Sequence, residues 1–193
     1  NTMGGLVKVH TRSPFSYQGT DVKLSYGSGN NHRSASLTHY HRISERFAFS
    51  AGGYYEGADG FFTNSFLNKK VDDMQAGGGR IRAIWFASDN WKFDFNVNYD
   101  YTDEGGYPYY YMNVAQYLVK PNLYYNKIAY NRESTYRRSL LNTGLNIEHQ
   151  AENFIFNAVT GFQHLNDRMF MDQDFSPMDT YTLEQKQRIN SIT

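Results

Sequence analysis

The sequence predicts an all-β protein: the antiparallel wall of a transmembrane β-barrel, with about eight strands in these residues. Three observations carry the prediction. Apolar and polar residues alternate with a period of two in segment after segment. The connections between those segments are sorted by length. Aromatic residues gather where the segments end.

The segments follow in order. DVKLSY (21–26) sends Val22, Leu24 and Tyr26 one way and Asp21, Lys23 and Ser25 the other. Residues 32–41 make a weaker strand candidate. In FAFSAGGYY (47–55), Phe47, Phe49, Ala51 and Tyr55 share a face, and in GRIRAIW (79–85) Ile81, Ala83 and Trp85 oppose Arg80 and Arg82. WKFDFNVNYDY (91–101) is the clearest case. Trp91, Phe93, Phe95, Val97, Tyr99 and Tyr101 alternate with Lys92, Asp94, Asn96, Asn98 and Asp100. On a helix, residues two apart lie about 200° apart, so these six would fall on both faces; on a strand all six point one way. LNTGLNI (141–147) alternates Leu141, Thr143, Leu145 and Ile147 with Asn142 and Asn146. FIFNAVTGF (154–162) is less regular, because Ile155 and Val159 fall on the wrong face, and residues 180–193 are a weaker strand. No amphipathic helix is expected.

HRISER, ASDN and HQAEN make three short polar connections. Those alternating with them are long, at 57–75, 103–134 and 166–179, except for GSGN at 27–30. Short turns at one end and long loops at the other is the layout of an outer-membrane barrel. Hydrocarbon leaves no water for backbone groups, so only helices and closed barrels span it. A barrel strand then turns apolar atoms to lipid and polar atoms to a wet lumen. On this facing Arg80, Arg82, Lys92, Asp94 and Asp100 all avoid lipid. Trp85, Trp91 and Phe47 lie beside the short turns and Tyr99 and Tyr101 lie at the other end, as two aromatic girdles would. The alternatives are a small closed eight-strand barrel with a structural or adhesion role, and a soluble β-sandwich with one wet face that binds through its loops.

Composition narrows the function. Aromatics make up 17% of the residues, with 17 Tyr and 14 Phe, so apolar area is carried by rings spread along strands. Lys plus Arg and Asp plus Glu are 19 each, which argues against nucleic acid as a partner. With no Cys there is no disulfide, thiolate metal site or thiol chemistry. No apolar run reaches the roughly 18 residues of a membrane-spanning helix. The chain, opening at NTMGG and ending at NSIT, is read as a mature piece of a longer one.

MGGLVKVHTR at 3–12, followed by Ser-Pro, resembles the end of the plug domain of TonB-dependent outer-membrane receptors, with Gly4 and Gly5 as paired glycines and Leu6, Val7, Val9 and Thr11 as the strand. HYHRISERFAFSAGGYY, QAGGGR, FDFNVNYDYTDEGGYPY and RMFMDQDF…YTLEQKQR resemble barrel segments of siderophore-type receptors, especially those of Bacteroidetes. The resemblance implies that residues 1–14 end the plug and residues 15–193 begin a 22-strand barrel. It implies outer-membrane localisation, contact with outer-membrane lipid, import of a ferric siderophore or similar bulky nutrient, and energy delivered by the TonB complex through the rest of the plug. It implies no enzyme activity and no cofactor.

The loop at 103–131 is crowded with Tyr107, Tyr109, Tyr110, Tyr111, Tyr117, Tyr124, Tyr125 and Tyr130. Tyrosine offers rigid contact area with a hydrogen-bonding tip, which suits substrate binding; packing of the loop on itself is the plainer role. Arg80 and Arg82, with Lys69 and Lys70, suit attraction of an anionic substrate, or ion pairing with Asp94, Asp100 and Glu148 in the lumen. His39 and His41 share a strand face but no third metal ligand accompanies them, and interfacial residues beside a turn is the reading for both. Asp172 and Asp174 in MDQDF lack the glycine and glutamate of a calcium loop and are assigned a loop role. No catalytic constellation and no metal site is expected.

Overall fold

A computed structural model of the chain describes residues 11–120 and 127–193. Its strands, in chain order, are β1 (Gly19–Gly27), β2 (His32–Arg42), β3 (Phe47–Ala58), β4 (Thr63–Asn64), β5 (Lys69–Lys70), β6 (Met74–Phe86), β7 (Trp91–Gly105), β8 (Thr135–Gln150), β9 (Ile155–Asp172) and β10 (Thr182–Ile192). Eight of them form one antiparallel sheet in the order β1-β2-β3-β6-β7-β8-β9-β10, and β4 and β5 pair separately as a small hairpin. The sheet is open, with β1 and β10 as its edges. A short helix, α1 (Val114–Val119), interrupts the longest loop. The sequence gives no sign of it, because six residues are too few for a helical period to stand out.

Several strands run past the alternating stretches that announce them. β6 begins at Met74, β7 continues to Gly105 and β9 to Asp172. Charged cross-strand pairs support these extensions. Arg137 on β8 meets Asp103 on β7 at 3.0 Å, and Arg168 on β9 meets Glu184 on β10 at 2.5 Å. A reading by apolar period stops where the apolar residues stop; the ladder does not.

Register divides the sheet into two faces. Trp85, Ile81, Phe93, Phe95, Val97, Tyr99, Leu145 and Ile147 share one face, and Arg80, Arg82, Asp94, Asn96, Asn98, Asn142 and Asn146 share the other. On the ring face Phe95, Ile81, Trp85 and Tyr99 are exposed. Among the described residues no second sheet lies over them. Rings gather at the short-turn end: Trp91 stacks on His149 at 4.2 Å and on Phe93 at 6.1 Å, and Trp85 stacks on Phe93 at 5.5 Å.

The apolar band crosses the strands obliquely. Leu24, the middle of the run on β1, is in register with Tyr101 on β7 through Ala35, Tyr55 and Gly77. Val159, level with the middle of the Phe156–Phe162 run on β9, is in register with Asp94 through Asn146. From Tyr101 back to Asp94 is seven residues, over six strand steps, or about one residue per strand. With roughly 3.4 Å of rise per residue and 4.8 Å between strands, that drift corresponds to an inclination of about 40°. Spanning barrel strands are tilted by roughly 35–45°. The same tilt gives the Trp91–Tyr101 run a height of roughly 26 Å, close to a hydrocarbon core.

The polar face is partly covered. Residues 11–18 lie on it at the short-turn end, where Phe15 packs edge-on against Phe86 at 5.3 Å and beneath the Arg42 guanidinium at 5.5 Å, and Tyr17 packs on Tyr40 at 5.0 Å. Pro14, Tyr40, Ala48 and Ile84 are buried there.

Gly78 shows how closely the polar face is fitted. It stands directly between Tyr54 and Asp100 in register, and the Tyr54 hydroxyl donates across it to Asp100 Oδ1 at 2.8 Å. A Cβ on Gly78 would meet Tyr99 O at 2.4 Å and the Tyr54 ring at 2.8 Å. Gly78→Val is therefore expected to break the Tyr54–Asp100 bridge and destabilise the sheet by about 1–3 kcal/mol, read as a lowered thermal unfolding midpoint in detergent. An unchanged midpoint would mean that the strands separate freely at this point.

Candidate functional site

Two regions concentrate polar chemistry: a cleft on the polar face and a packed cluster of long loops. The cleft has a volume of about 710 Å³ and is lined by Thr11, Arg12, Tyr40, Arg80, Arg82 and Asp94, with amides from Asn96, Asn98 and Asn146. The two-residue period of β6 brings Arg80 and Arg82 to one face. Their environments differ. Arg82 forks onto Asp94, Nε to Oδ1 at 2.9 Å and Nη2 to Oδ2 at 2.6 Å, and its Nη1 donates to Thr11 Oγ1 at 3.0 Å. Arg80 donates to Thr38 Oγ1 at 3.0 Å and has no carboxylate partner among the described residues. Asn146 Oδ1 is buried without a hydrogen-bond partner there. The cleft thus offers one cation free of a counter-charge, several amides and an open acceptor, a surface for a polar occupant with anionic character.

The loop cluster stands at the opposite end. The β4–β5 hairpin packs on the returning segment of the β7–β8 loop, where Val71, Ile128 and Tyr130 form a small core with Leu67 against it. Asn64 is fully buried: its Nδ2 donates to Tyr130 O at 2.9 Å and its Oδ1 accepts from the Phe66 and Leu67 amides at 2.9 and 3.1 Å. Asp72 accepts from the Phe61 and Phe62 amides, closing a turn at Gly60, whose φ is +79° and where a Cβ would meet Asp72 Oδ1 at 2.5 Å. The β9–β10 loop joins through Asp172, which accepts from the Arg132 amide at 3.0 Å, and through the Arg132–Asp179 pair at 2.8 Å. Asp174 holds its own loop by accepting from Ser176 and Thr180. The long loops therefore form one connected surface.

The tyrosines divide. Tyr109, Tyr110 and Tyr111 are exposed on this surface, and Tyr109 packs edge-on against Phe175 at 5.5 Å. Tyr107 is half-buried, with its backbone at φ 56°, and Tyr117 is exposed on α1. Tyr130 is fully buried, and burial pushes its hydroxyl up to about 12; it is a packing residue. Tyr124 and Tyr125 lie outside the described residues, as do Gly4, Gly5, Leu6, Val7 and Val9. Lys69 pairs with Glu133, and Lys70 donates to Phe61 O at 2.7 Å, so both hold the loops together.

The structure does not bring the tyrosines and the arginines into one site. Arg80 is level with Asn98, seven residues before the end of β7, a separation of roughly 24 Å along the strand. His39 and His41 stack on each other at 5.8 Å on the ring face, with Phe49 edge-on to both. Among the described residues no group of three or more His, Asp or Glu side chains is arranged to hold a metal ion. Asn64 and Asp72 were not singled out from the sequence. The signal available was weak: an Asn ahead of Ser-Phe marks a side chain able to cap the following amides.

Burial raises the Asp172 carboxyl above the usual carboxylate range, against the pull of the backbone amides it accepts. A carboxyl raised in the folded state favours protonation there, so the loop cluster should tighten as pH falls through that raised value and loosen as pH climbs above it. Asp172→Asn should remove this dependence, leaving the loops as protected at neutral pH as in mild acid. Hydrogen exchange at the Arg132 amide measures it; equal pH dependence in both proteins would exclude Asp172 as the cause.

No protein-family model matches the chain, and no solved structure matches it.

Proposed function

We propose that the chain is wall and loops of an outer-membrane β-barrel, and that this barrel is a TonB-dependent active transporter importing a ferric siderophore or similar bulky nutrient. The observation that carries the membrane part is the oblique apolar band. A surface in contact with lipid must be apolar over one thickness of hydrocarbon whatever the direction of the strands, so on tilted strands it must drift in register. A face covered by a second protein layer has no such requirement. The transport part rests on three supports: the family resemblance, the polar cleft occupied at one end by residues 11–18 as a plug's end would occupy a lumen, and exposed Tyr109, Tyr110 and Tyr111 on a surface built from all the long loops. In this reading those tyrosines grip the substrate outside the cell, and Arg80 and Arg82 line its path. TonB acts through the plug, and no step is catalytic.

Two measurements test the two parts. Trp85 and Trp91 are the two tryptophans of these residues, and both are exposed on the ring face. In vesicles holding the complete receptor, brominated acyl chains should quench the part of the tryptophan fluorescence that Trp85→Phe/Trp91→Phe removes; an unquenched difference would end the membrane reading. Deleting residues 106–134 from the complete receptor should abolish growth on ferric siderophore under iron limitation while leaving it in the outer membrane. Unchanged uptake would remove the loop from the binding site, and growth restored by haem alone would redirect the substrate assignment.

A further inference from the structure

The polar face is not polar throughout: from β8 to β10 it carries apolar side chains among the polar ones. Leu140, Leu165 and Ile189 are direct cross-strand partners in one row, level with Asp100 on β7. Toward the long loops, Tyr136 is the direct partner of Met169; toward the short turns, Val159 stands opposite Asn146. Along β9 this makes three apolar steps, Met169, Leu165 and Val159, roughly 14 and 20 Å apart. Val159 is 74% exposed and Ile189 39%. The polar residues between the steps are turned to one another. The Tyr136 hydroxyl donates to Asp167 Oδ2 at 3.3 Å, Arg138 stands directly opposite Asp167, and Gln163 Nε2 donates to Asn142 Oδ1 at 2.9 Å. The contact that the stripe offers an occupant is therefore chiefly apolar.

Position and shape select the occupant. The stripe joins the two regions that the fold keeps apart. At its upper step Tyr136 neighbours Tyr107 of the loop surface, whose hydroxyl is raised by burial and by the nearness of Tyr136 and Tyr109. At its lower step Val159 lines the cleft together with Arg80 and Asn146. A protein partner covers roughly 800 Å² around a contiguous apolar centre. Here the widest step is one row of three side chains, with polar rows roughly 7 Å to either side. Residues 11–18 lie on the polar face elsewhere, at Asp21, Tyr40 and Phe86. A narrow, stepped apolar path that begins and ends at polar sites fits a slender alkyl chain attached to a polar head.

We propose that the imported nutrient carries an alkyl chain, and that Leu140, Leu165 and Ile189, with Met169 above and Val159 below, guide that chain from the loop surface to the cleft. This rests on the transport reading and deepens it by naming the substrate class, an alkylated chelate. Each methylene that leaves water for such a surface adds to affinity without any directional bond, so the chain can pass from step to step while its polar head changes partners.

The test uses the complete receptor in nanodiscs and two ferric trihydroxamates that differ in one acyl group, acetyl or decanoyl. The wild type should bind the decanoyl chelate at least about tenfold more tightly, the gain from burying two or more methylenes. Leu140→Asn/Leu165→Asn/Ile189→Asn should lose that preference while binding the acetyl chelate as the wild type does, which a misfolded protein would not. Equal affinity for the two chelates in the wild type, or an undiminished preference in the triple variant, overturns the inference. A second measurement needs no chelate. Leu165→Cys adds a thiol to residues that contain none. In intact cells it should react with a membrane-impermeant maleimide, and decanoylglycine should slow the reaction where acetylglycine does not. An unreactive thiol would mean that protein covers the stripe, and overturns the inference. Protection by decanoylglycine with neither chelate bound sinks the siderophore assignment and leaves the alkyl path standing. Chelates bound equally, with no protection, sink the alkyl path and leave that assignment.

Discussion

Val97→Arg is expected, on the proposed membrane reading, to destabilise the protein in lipid by about 2–4 kcal/mol, the cost of a cation facing the middle of a bilayer. Val97 lies in the middle of the outward run on β7, between Ile81 on β6 and Thr143 on β8. An arginine there would have Ile81 and Thr143 as its direct cross-strand neighbours, neither of them a counter-charge, and, at the middle of the band, too great a depth to reach water. Ser36→Arg makes the comparison. Ser36 lies on the polar face and lines a groove that also contains Asp100, so a cation there gains a nearby carboxylate and should change stability by less than about 1 kcal/mol. Urea unfolding in lipid vesicles reads both. Similar losses in the two variants would mean that the faces are not divided between lipid and water, and the transporter interpretation would go with them.

The second large effect is expected at Arg82 and Asp94. Their side chains are 26% and 14% exposed and joined by two hydrogen bonds. Arg82→Leu would leave Asp94 ionised in the cleft without its partner and should cost about 1–3 kcal/mol, less than a fully buried pair because water still reaches the cleft. Asp94→Leu should cost a similar amount. The double variant should recover much of the loss, since neither charge is then stranded, and a double-mutant cycle gives the coupling directly. Additive losses would show that the pair contributes no coupling. Arg82→Leu also releases Thr11, so proteolysis at Arg12 should quicken in that variant while the Asp94→Leu protein retains the Thr11 contact.

The legible parts of this protein were those with short-range physical signatures. The alternation from Trp91 to Tyr101 has one structural solution, because a helix would scatter its rings. The positions of β3, β7 and β8 follow from such runs, as does the sharing of one face by Arg80, Arg82 and Asp94. β10 gave a faint signal for a physical reason: from Thr182 to Asn190 its ring face is polar, with Glu184, Lys186 and Arg188, and an apolar residue, Ile192, stands on it only at the end. The loops were legible only as long and rich in tyrosine. Tyr130 reads like its neighbours in sequence, yet it is the buried one, because Asn64, sixty-six residues away, holds its carbonyl. Asp172 reads as a surface loop acid and is buried for a similar reason.

By itself the sequence determined an antiparallel all-β chain, its strand positions, the two chemically distinct faces and the end at which the long loops lie, because a two-residue period and the turn residues act over neighbouring positions. Only the tertiary structure decided the register, and with it the oblique band, the Arg82–Asp94 fork, the Tyr54–Asp100 bridge across Gly78 and the row Leu140–Leu165–Ile189. Register is a relation between strands. A shift of two residues would preserve every alternation and bring different side chains together, so the contacts that choose among such shifts cannot be read from any one strand alone.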